Sequence, residues 1–488
     1  SGSESAPCDE PRDGDEAGSA SALRQTVEFL VVLLMGILFA RTFAAEAYIV
    51  PTGSMAPTLL GMHRDYTCPN CHIRFALGID EDGHCGRPVC PNCGQTDWEG
   101  GPAGESSGDR LLVQKYLFDI RPPRRWEAAV FQNPADRSQA YVKRVVGLPG
   151  ESVQIRGGDV YINGTIARKD LAEQRALRIP VFDSGFPPDD ASRFPRWTSR
   201  QTGPEPATGG WEPVRAAFHR DPPDGPAATE RTDWLEYQHW EADRGAYGPV
   251  RDFNAYNGAE LAGENRVRDL MLEARIALGA ENQALRLRLD AGTDRFVVTI
   301  PTDDLDPIEV RHNGRRVRVY ELPARYALRA SAAPAMHRVE ASIADRRLLV
   351  AVDGAPVFEP YDFDEESDGL PSSLSPLAIG VKGPGPAEIA VLRVFRDIYY
   401  TDSLISIPSH PFGVEEPYPL GPGEFFVLGD NSPVSNDSRF WPGSPVVRRE
   451  LFVGKPFLVH LPSQAVPLRV FGHQPYWIPD PREIRYIR

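Results

Sequence analysis

Ser54 and Lys143 are the two residues of this chain whose types and settings could do chemistry together. Ser54 lies in Tyr48-Ile-Val-Pro-Thr-Gly-Ser-Met-Ala-Pro-Thr-Leu-Leu60, and Lys143 lies in Tyr141-Val-Lys-Arg-Val-Val-Gly-Leu-Pro-Gly-Glu151. A serine hydroxyl attacks a carbonyl carbon only when a base takes its proton. Lysine becomes such a base when burial lowers its pKa from about 10.4 toward neutrality. The apolar neighbours of Lys143 could supply this burial, so the two stretches predict a serine nucleophile with a lysine general base.

Lysine is rare in this chain, and most of its positively charged residues are arginines. Arginine stays protonated in proteins, so a basic residue that must become neutral has to be a lysine. A lone surface lysine is nevertheless the commoner explanation of any single case. The five lysines among the 53 basic residues are Lys115, Lys143, Lys169, Lys382 and Lys455.

Four motifs, in chain order, resemble those of the bacterial type I signal peptidases, a family of membrane-anchored serine proteases with a Ser/Lys dyad. Any one of them could be an ordinary turn or strand, whereas four in order are a specific match. The motifs account for a minor part of the chain. They are Pro51-Thr-Gly-Ser-Met-Ala-Pro-Thr-Leu59, Gly108-Asp-Arg-Leu-Leu-Val-Gln-Lys115, Tyr141-Val-Lys-Arg-Val-Val-Gly-Leu-Pro-Gly150 and Gly429-Asp-Asn-Ser-Pro-Val-Ser-Asn-Asp-Ser-Arg439.

The resemblance implies a role for four residues in catalysis. Ser54 would attack a peptide carbonyl, and neutral Lys143 would take its proton. The backbone N–H of Ser54 and the hydroxyl of Thr52 would hold the oxyanion, and Ser435 would hold the Lys143 amine in place. Thr52 departs from the serine usual at its position, but it keeps a hydroxyl.

The resemblance also implies two supporting charge pairs and a cleft for the substrate. Apolar walls with little room favour alanine-like residues at the first and third positions before the cut, read along an extended peptide added to a sheet edge. This chemistry requires no cofactor. The pairs are Arg144 with Asp430 and Arg439 with Asp437, and the cleft residues are Val50, Met55, Leu59, Tyr141 and Val142.

The first 45 residues predict a tail followed by a membrane span. Residues 1–22 are small, polar and acidic, which predicts a disordered tail. The apolar run 29–40 is short, but the stretch 23–45 reaches the length of about 20 residues that a transmembrane helix needs. A buried helix in a soluble protein and a cleaved secretory signal are the alternatives. The charges do not fix the orientation; the resemblance implies a single-pass protein of the bacterial inner membrane with its catalytic domain on the extracytoplasmic side.

Four cysteines follow the first motif as two Cys-x-x-Cys pairs with the same Pro-Asn filling. Each pair can aim two thiolates at one tetrahedral ion, so residues 63–105 predict a zinc-ribbon insertion with a structural Zn²⁺. Two disulfides are the alternative, favoured by the oxidising compartment that the predicted topology implies. Four thiolates leave no open coordination position, so we expect no catalytic role for the metal. The predicted ligands are Cys68, Cys71, Cys90 and Cys93.

Strand signals dominate the rest of the chain and predict a mainly β protein. Alternating and β-branched runs divided by Gly and Pro predict an antiparallel β catalytic domain made of residues 46–62, 106–166 and 401–463. Regular short strands predict a large inserted β-sandwich over residues 167–400, similar to a concanavalin-like jelly roll, before a C-terminal extension, 464–488. A carbohydrate or protein ligand of the sandwich would explain its tryptophans, although packing is their commoner role.

The motifs favour a protease, and the charge excludes one class of partner. A net charge of -15 would repel the phosphates of nucleic acids. We predict a membrane-anchored endopeptidase that removes signal peptides from exported precursors in the lipid bilayer. A soluble self-cleaving repressor of the related Ser/Lys type is disfavoured by the apolar segment and the last motif. A membrane-tethered binding protein, with an inactive protease core and with the ribbon and sandwich recognising partners, is the remaining alternative.

Overall fold

The fold was analysed in a computed structural model of the full chain. The structure describes residues 15–39, 45–80, 82–96, 98, 101–102, 104–189, 195–202, 210–221, 229–261, 263–303, 306–321, 328–364, 374–403, 411–463, 465–468 and 476–487.

The described residues of the first part of the chain form two helices and ten strands. The helices are α1, Asp15–Phe39, and the short α2, Leu117–Ile120. The strands are β1 (Ala45–Ile49), β2 (His63–Thr67), β3 (Arg74–Gly78), β4 (Gly104–Ser106), β5 (Arg110–Gln114), β6 (Ala128–Gln132), β7 (Ala140–Gly147), β8 (Ser152–Arg156), β9 (Asp159–Ile162) and β10 (Thr165–Ile166).

The middle of the chain begins with α3, Leu171–Leu177, whose Asp170 and Glu173 form a capping box. Eighteen strands follow. They are β11 (Ile179–Asp183), β12 (Trp197–Thr202), β13 (Trp211–Val214), β14 (Ala217–Arg220), β15 (Thr232–Tyr237), β16 (His239–Glu241), β17 (Ala246–Gly248), β18 (Leu270–Leu278), β19 (Ala284–Ala291), β20 (Asp294–Pro301), β21 (Ile308–His312), β22 (Arg315–Tyr320), β23 (His337–Ala344), β24 (Arg347–Val352), β25 (Ala355–Pro356), β26 (Tyr361–Asp362), β27 (Leu377–Lys382) and β28 (Ala387–Arg396).

The last part of the chain adds seven strands. They are β29 (Tyr418–Pro419), β30 (Glu424–Leu428), β31 (Val446–Arg448), β32 (Phe452–Leu461), β33 (Ala465–Leu468), β34 (Tyr476–Pro479) and β35 (Arg485–Tyr486).

One antiparallel sheet joins the two ends of the described chain. Its strands run in the order β1-β5-β32-β6-β7-β30-β31, and β35 pairs with β32. Strands from after residue 420 therefore lie between and beside two pairs of strands from before residue 150. Apolar side chains on β5, β6 and β32, among them Leu111, Val130 and Val459, form a buried core against the turn that carries Ser54. The separated motifs thus meet because they build one sheet.

The middle of the chain forms two large antiparallel sheets that face each other. One has the order β13-β14-β28-β18-β23-β24-β25, with β11 and β26 added, and the other has the order β12-β15-β27-β19-β20-β21-β22. Alternate residues of both sheets, such as Leu272 on β18 and Leu287 on β19, enter a common core. This is a sandwich packing, and the described chain is mainly β, as the strand signals predict.

A buried lysine fixes this sandwich to the small sheet β10-β9-β8-β29. The Nζ atom of Lys169, just after β10, donates to Asp345 and Asp397, at 2.7 Å each. Asp345 follows β23 and Asp397 follows β28. Lys169 is therefore a buried cation between paired carboxylates, unlike the surface position expected of most lysines.

The N-terminal predictions need correction. Helix α1 begins at Asp15, so residues 15–22, which we predicted as part of a disordered tail, are helical. Residues 1–14 and 40–44 lie outside the described residues. Within the described chain, the search for a helix with the length and apolarity of a membrane span finds none. The transmembrane helix predicted for residues 23–45, which includes residues outside the described part of the chain, stays a prediction.

The C-terminal residues do more than extend the chain. Strand β35 pairs with β32, placing Tyr486 opposite Leu458. The side chain of Arg485 reaches the first two motifs: its Nη2 donates to the Thr58 carbonyl at 2.9 Å and to Asp109 Oδ2 at 2.9 Å. The end of the chain therefore braces the loop after Ser54.

Candidate active site

Ser54 lies in a short 3-10 turn, Gly53–Met55, that is anchored by its neighbours. The backbone N–H of Ala56 donates to the Gly53 carbonyl at 3.0 Å, and that of Leu59 donates to the Met55 carbonyl at 3.0 Å. The Met55 and Leu59 side chains have no exposed surface and pack into the core of the sheet. The buried side chains of Met55 and Leu59 therefore anchor the turn that carries Ser54.

Lys143 reaches Ser54 from the middle of the sheet. It lies in β7 opposite Ala129 of β6, in a register that leaves its side chain nearly inaccessible to solvent. The Nζ atom of Lys143 lies 2.5 Å from Oγ of Ser54, within hydrogen-bond distance. The two residues with the chemistry of a nucleophile and a base are therefore in direct contact.

Burial changes the pKa of Lys143 in the direction that a base requires. Desolvation lowers the pKa from 10.5 to about 8; Asp437 and Asp430 oppose this shift and Arg439 adds to it. Lys169 is equally buried, but its two hydrogen-bonded carboxylates outweigh desolvation and raise its pKa well above the ordinary value. Among the described residues Lys143 makes no such ion pair. The pKa values of the two lysines shift in opposite directions because Lys143 lacks the carboxylate contacts that Lys169 makes.

Two buried ion pairs support the strands around Lys143. Arg144 donates to both oxygens of Asp430, at 2.7 and 2.5 Å, and also to the Trp126 carbonyl at 2.7 Å. Arg439 donates to both oxygens of Asp437, at 2.9 and 2.8 Å. All four charged side chains are fully buried. Each arginine fork is matched to a planar carboxylate, a geometry that fixes both partners.

Ser435 and Thr52 lie beside the dyad without the contacts expected of them. Ser435 is fully buried, and its Oγ has no hydrogen-bond partner among the described residues. The predicted bond from Ser435 to the Lys143 amine is therefore not formed in this structure. Thr52 is exposed, and its side chain makes no capping bond to the turn that follows. Its role as an oxyanion donor stays a prediction.

The predicted cleft residues divide into a buried set and a partly exposed set. Val50, Met55 and Leu59 are buried in the sheet core, so they present almost no surface to a peptide. Tyr141 and Val142 on β7 are partly exposed beside Lys143. Tyr141 and Val142 are therefore the predicted cleft residues with exposed surface, and the substrate-binding role of all five residues stays a prediction.

Asp109 is a supporting residue that we did not single out, although it stands in the second motif. It is fully buried, and its Oδ2 accepts from the Leu60 N–H at 3.0 Å and from Arg485 at 2.9 Å. Its Oδ1 accepts from the N–H and hydroxyl of Ser463, at 2.9 and 2.7 Å. One carboxylate therefore ties the loop after Ser54 to β5 and to the C-terminal segment. The Gly-Asp start of that motif was the available signal, but only contacts reveal the role of the aspartate.

The four cysteines of the two Cys-x-x-Cys pairs lie together in residues 63–106. Their Sγ atoms all lie within 4.8 Å of one another, with 3.5 Å between Cys68 and Cys93 and between Cys71 and Cys90. None of the described cysteines forms a disulfide. The backbone N–H groups of Cys71 and Cys93 point at the Sγ atoms of Cys68 and Cys90, at 3.5 Å each. The cluster could hold a metal ion.

The strands around this cluster form a small domain. Tyr66 of β2 and Phe75 of β3 pack against each other and against Trp98, which precedes β4, with ring centroids 5.5 to 6.0 Å apart. The second pair docks on the sandwich, where Asn92 accepts from the Asp183 N–H at 2.8 Å and donates to the Phe186 carbonyl at 2.8 Å.

Comparison with known proteins gives a family match and relatives of one kind. Residues 103–204, which include Lys143, match the family described as signal peptidase, peptidase S26. The chain is 33% identical over 148 residues to signal peptidase I of Leptolyngbya laminosa, covering 29% of this chain and 48% of that protein. It is 30% identical over 169 residues to probable signal peptidase I-2 of a Synechocystis strain, covering 33% of this chain and 53% of that protein. The chain thus spans about half the length of these curated relatives.

The comparison with solved structures is weaker. A carbohydrate binding module, CBM66 from Bacillus subtilis, aligns with 12% identity and a TM-score of 0.22, covering 40% of this chain and 93% of that module. A TM-score this low does not establish a shared fold, so the similarity of residues 167–400 to a concanavalin-like jelly roll stays a prediction. The sequence matches are specific, and residues 103–204, which contain Lys143, are similar to the signal peptidase family, peptidase S26.

Proposed function

We propose that this chain is a serine endopeptidase that removes signal peptides from exported precursor proteins, with Ser54 as nucleophile and Lys143 as general base. The observation that carries the proposal is the 2.5 Å contact between Lys143 Nζ and Ser54 Oγ. With a pKa of about 8, about one Lys143 amine in ten is neutral at pH 7, against about one in three thousand at the ordinary pKa of 10.5. The sheet thus keeps a usable base beside the alcohol.

The reaction follows from these two groups. The neutral amine takes the Ser54 proton as Oγ attacks the scissile carbonyl, and the ammonium then passes the proton to the leaving amine. The same amine next takes a proton from a water molecule as the water oxygen attacks the acyl carbon, and the ammonium returns the proton to Ser54 Oγ as the bond between Oγ and the acyl carbon breaks. Backbone N–H groups of the Gly53–Met55 turn and the Thr52 hydroxyl are the candidate donors to the oxyanion.

Specificity for small residues is part of the same proposal. Tyr141 and Val142 lie partly exposed on β7 beside the dyad, above a layer of filled apolar core. A peptide lying along this strand would meet little empty space under its side chains, which favours cleavage after Ala-x-Ala sequences. The extracytoplasmic location at an inner membrane and a ligand for the sandwich rest on the resemblance and the sequence pattern, and both stay predictions.

We infer that the four-cysteine cluster holds a structural Zn²⁺. In a tetrahedron with Zn–S bonds of about 2.3 Å, sulfur atoms lie about 3.8 Å apart, close to the 3.5 Å of the two pairs. Bound zinc would cross-link the two Cys-x-x-Cys loops. Cys68, Cys71, Cys90 and Cys93 fill all four positions, so the peptidase chemistry runs through Ser54 and Lys143 alone.

The test is a precursor-processing assay with the full chain and three variants. Ser54→Ala and Lys143→Ala should each abolish cleavage of a precursor with alanine at the first and third positions before the cut. Lys382→Ala, a lysine of β27 in the sandwich, is the matched control and should cleave as the unaltered protein does. Undiminished cleavage by both dyad variants would favour the alternative, a binding protein with an inactive protease core.

A further inference from the structure

One short segment of the predicted insertion leaves the sandwich and packs under the nucleophile turn. Residues 252–258 contain a 3-10 turn, Ala255–Asn257, whose N-cap is Asn254. Asn254 Oδ1 accepts from the Tyr256 N–H at 3.1 Å, so this side chain holds its own turn together. Its Nδ2 donates to the Ala56 carbonyl at 3.2 Å, two residues beyond Ser54.

Asn257 and Asn431 form a reciprocal amide pair next to Ser54. Asn257 Nδ2 donates to Asn431 Oδ1 at 2.8 Å, and Asn431 Nδ2 donates to Asn257 Oδ1 at 2.7 Å. The second N–H of the Asn431 amide donates to the Gly53 carbonyl at 2.9 Å, and its backbone N–H donates to the Ser54 carbonyl at 3.0 Å. Asn431 therefore donates hydrogen bonds to the carbonyl oxygens of both Gly53 and Ser54.

The insertion fixes which way the Asn431 amide faces. A carboxamide has two N–H donors and an oxygen with two lone pairs. The Oδ1 of Asn431 accepts from Asn257 and, at 3.2 Å, from Asn254, while both N–H groups are used as described above. Rotating the amide by half a turn would place oxygen against oxygen at Gly53 and at Asn257. Asn254 and Asn257 thus determine that Asn431 presents a donor to the turn.

Tyr256 also packs against the nucleophile turn. Its ring is buried, and its hydroxyl donates to the Met62 carbonyl at 2.7 Å. A Cβ at Gly53 would lie 2.1 Å from Tyr256 Cε1, and one at Gly78 would lie 2.3 Å from the same atom. Gly53 has to be a glycine here because the Tyr256 ring fills the space where a side chain would begin.

The segment is rigidly attached to the sandwich. Arg396, the buried last residue of β28, donates to the carbonyls of Asp252 and Phe253, at 3.0 and 2.9 Å. Asp252 in turn accepts from the backbone and the side chain of Asn265, at 3.0 and 2.8 Å. A packing contact between two domains would need only apolar surface. The polar groups of this segment instead form hydrogen bonds to the backbone of the nucleophile turn.

We propose that residues 252–258 are a positioning element of the catalytic centre supplied by the insertion, in which Asn257 and Tyr256 set the position of Ser54 opposite Lys143. The inference rests on the proposed peptidase function and deepens it. Neither residue touches the dyad, so both act through Asn431 and the Gly53–Met55 turn. Displacement of a reacting group by about 1 Å costs about 100-fold in rate, so a loosened turn should reduce turnover more than binding.

The experiment measures kcat and KM for precursor cleavage by the full chain and its variants. Asn257→Ala and Tyr256→Phe should lower kcat by about 10-fold or more while KM changes by less than about twofold. Tyr247→Phe is the matched control: the Tyr247 hydroxyl donates to the Pro195 carbonyl at 3.1 Å, in a sandwich hairpin. That variant should keep both constants. Circular dichroism and metal content establish that each variant is folded.

A second substitution keeps the test decisive if Asn257→Ala does not fold. Asn257→Asp preserves volume and the acceptor for Asn431 Nδ2, but it replaces the donor to Asn431 Oδ1 with an oxygen, and it should also lower kcat. Folded variants with an unchanged kcat, or a loss that appears only in KM, would overturn the inference. The proposed function would fail separately, through an unaltered chain that is no more active than Ser54→Ala.

Discussion

Lys143 and Arg144 are consecutive residues of β7 with different kinds of partner. The amine of Lys143 contacts the hydroxyl of Ser54 at 2.5 Å, whereas Arg144 forms a bidentate ion pair with Asp430. Successive side chains of a strand point to opposite faces of a sheet. One strand therefore carries a base whose pKa is lowered to about 8 and, one residue later, an arginine whose charge is compensated by a buried carboxylate. Four predictions follow from the surroundings of these residues.

The first prediction concerns pH. The pKa of Lys143 is lowered to about 8, so its neutral, basic form dominates above that pH and is lost below it. The value of kcat/KM should therefore rise through an inflection near pH 8 and fall about tenfold for each pH unit below it. Steady-state cleavage of a peptide substrate across this range measures the profile. An activity that stays constant over the range, or one that declines as the amine deprotonates, would contradict the assignment of Lys143 as base.

The second prediction concerns the buried pair of Arg144 and Asp430. Asp430→Ala leaves the guanidinium of Arg144 buried without its counter-charge, and the free energy of unfolding should fall by about 3–5 kcal/mol. Urea unfolding followed by tryptophan fluorescence measures this change. Lys115→Ala is the control, because its pair with Glu46 is exposed, and it should cost less than about 1 kcal/mol. Equal losses for the two variants would show that burial does not decide the strength of the pair.

The third prediction concerns the four-cysteine cluster. The purified chain should contain one zinc ion, which a chelator removes on unfolding. All six cysteines of the sequence should then react with a thiol reagent in the absence of reductant. Two disulfides among the four clustered cysteines would leave only two reactive thiols and no bound metal. Cys90→Ser should lower the metal content, whereas Cys85→Ser, outside the cluster of four, should not.

The fourth prediction concerns Gly53. In Gly53→Ala the new methyl group meets the Tyr256 ring at 2.1 Å, so either the ring or the nucleophile turn must move. Because the turn carries Ser54, we expect kcat to fall by about 10-fold to 100-fold. Gly101→Ala is the matched control, since a Cβ there has no neighbour within 4 Å. A fully active Gly53→Ala enzyme would mean that the ring yields without disturbing the turn.

Much of the catalytic centre could be read from local sequence because its chemistry depends on residue type. A base that must become neutral has to be a lysine, and the apolar residues that flank Lys143 already indicated its burial. The two arginine–carboxylate pairs and the four cysteines were also named in advance, because short motifs carry them. The absence of a hydrogen-bond partner for Ser435 Oγ among the described residues and the burial of Val50, Met55 and Leu59 could not be read in this way, since a motif does not specify side-chain direction or depth.

The positioning segment could not have been found in this way. Asn254-Ala-Tyr-Asn257 is an ordinary turn sequence in the middle of an insertion, and no local pattern relates it to a serine about two hundred residues earlier. Similarly, the lowered pKa of Lys143 and the raised pKa of Lys169 are opposite outcomes for the same residue type. Residue type and spacing determined which groups could react. Only the tertiary structure decided which lysine lacks a carboxylate partner and which distant amides face the nucleophile, because both depend on contacts between strands and loops far apart in the chain.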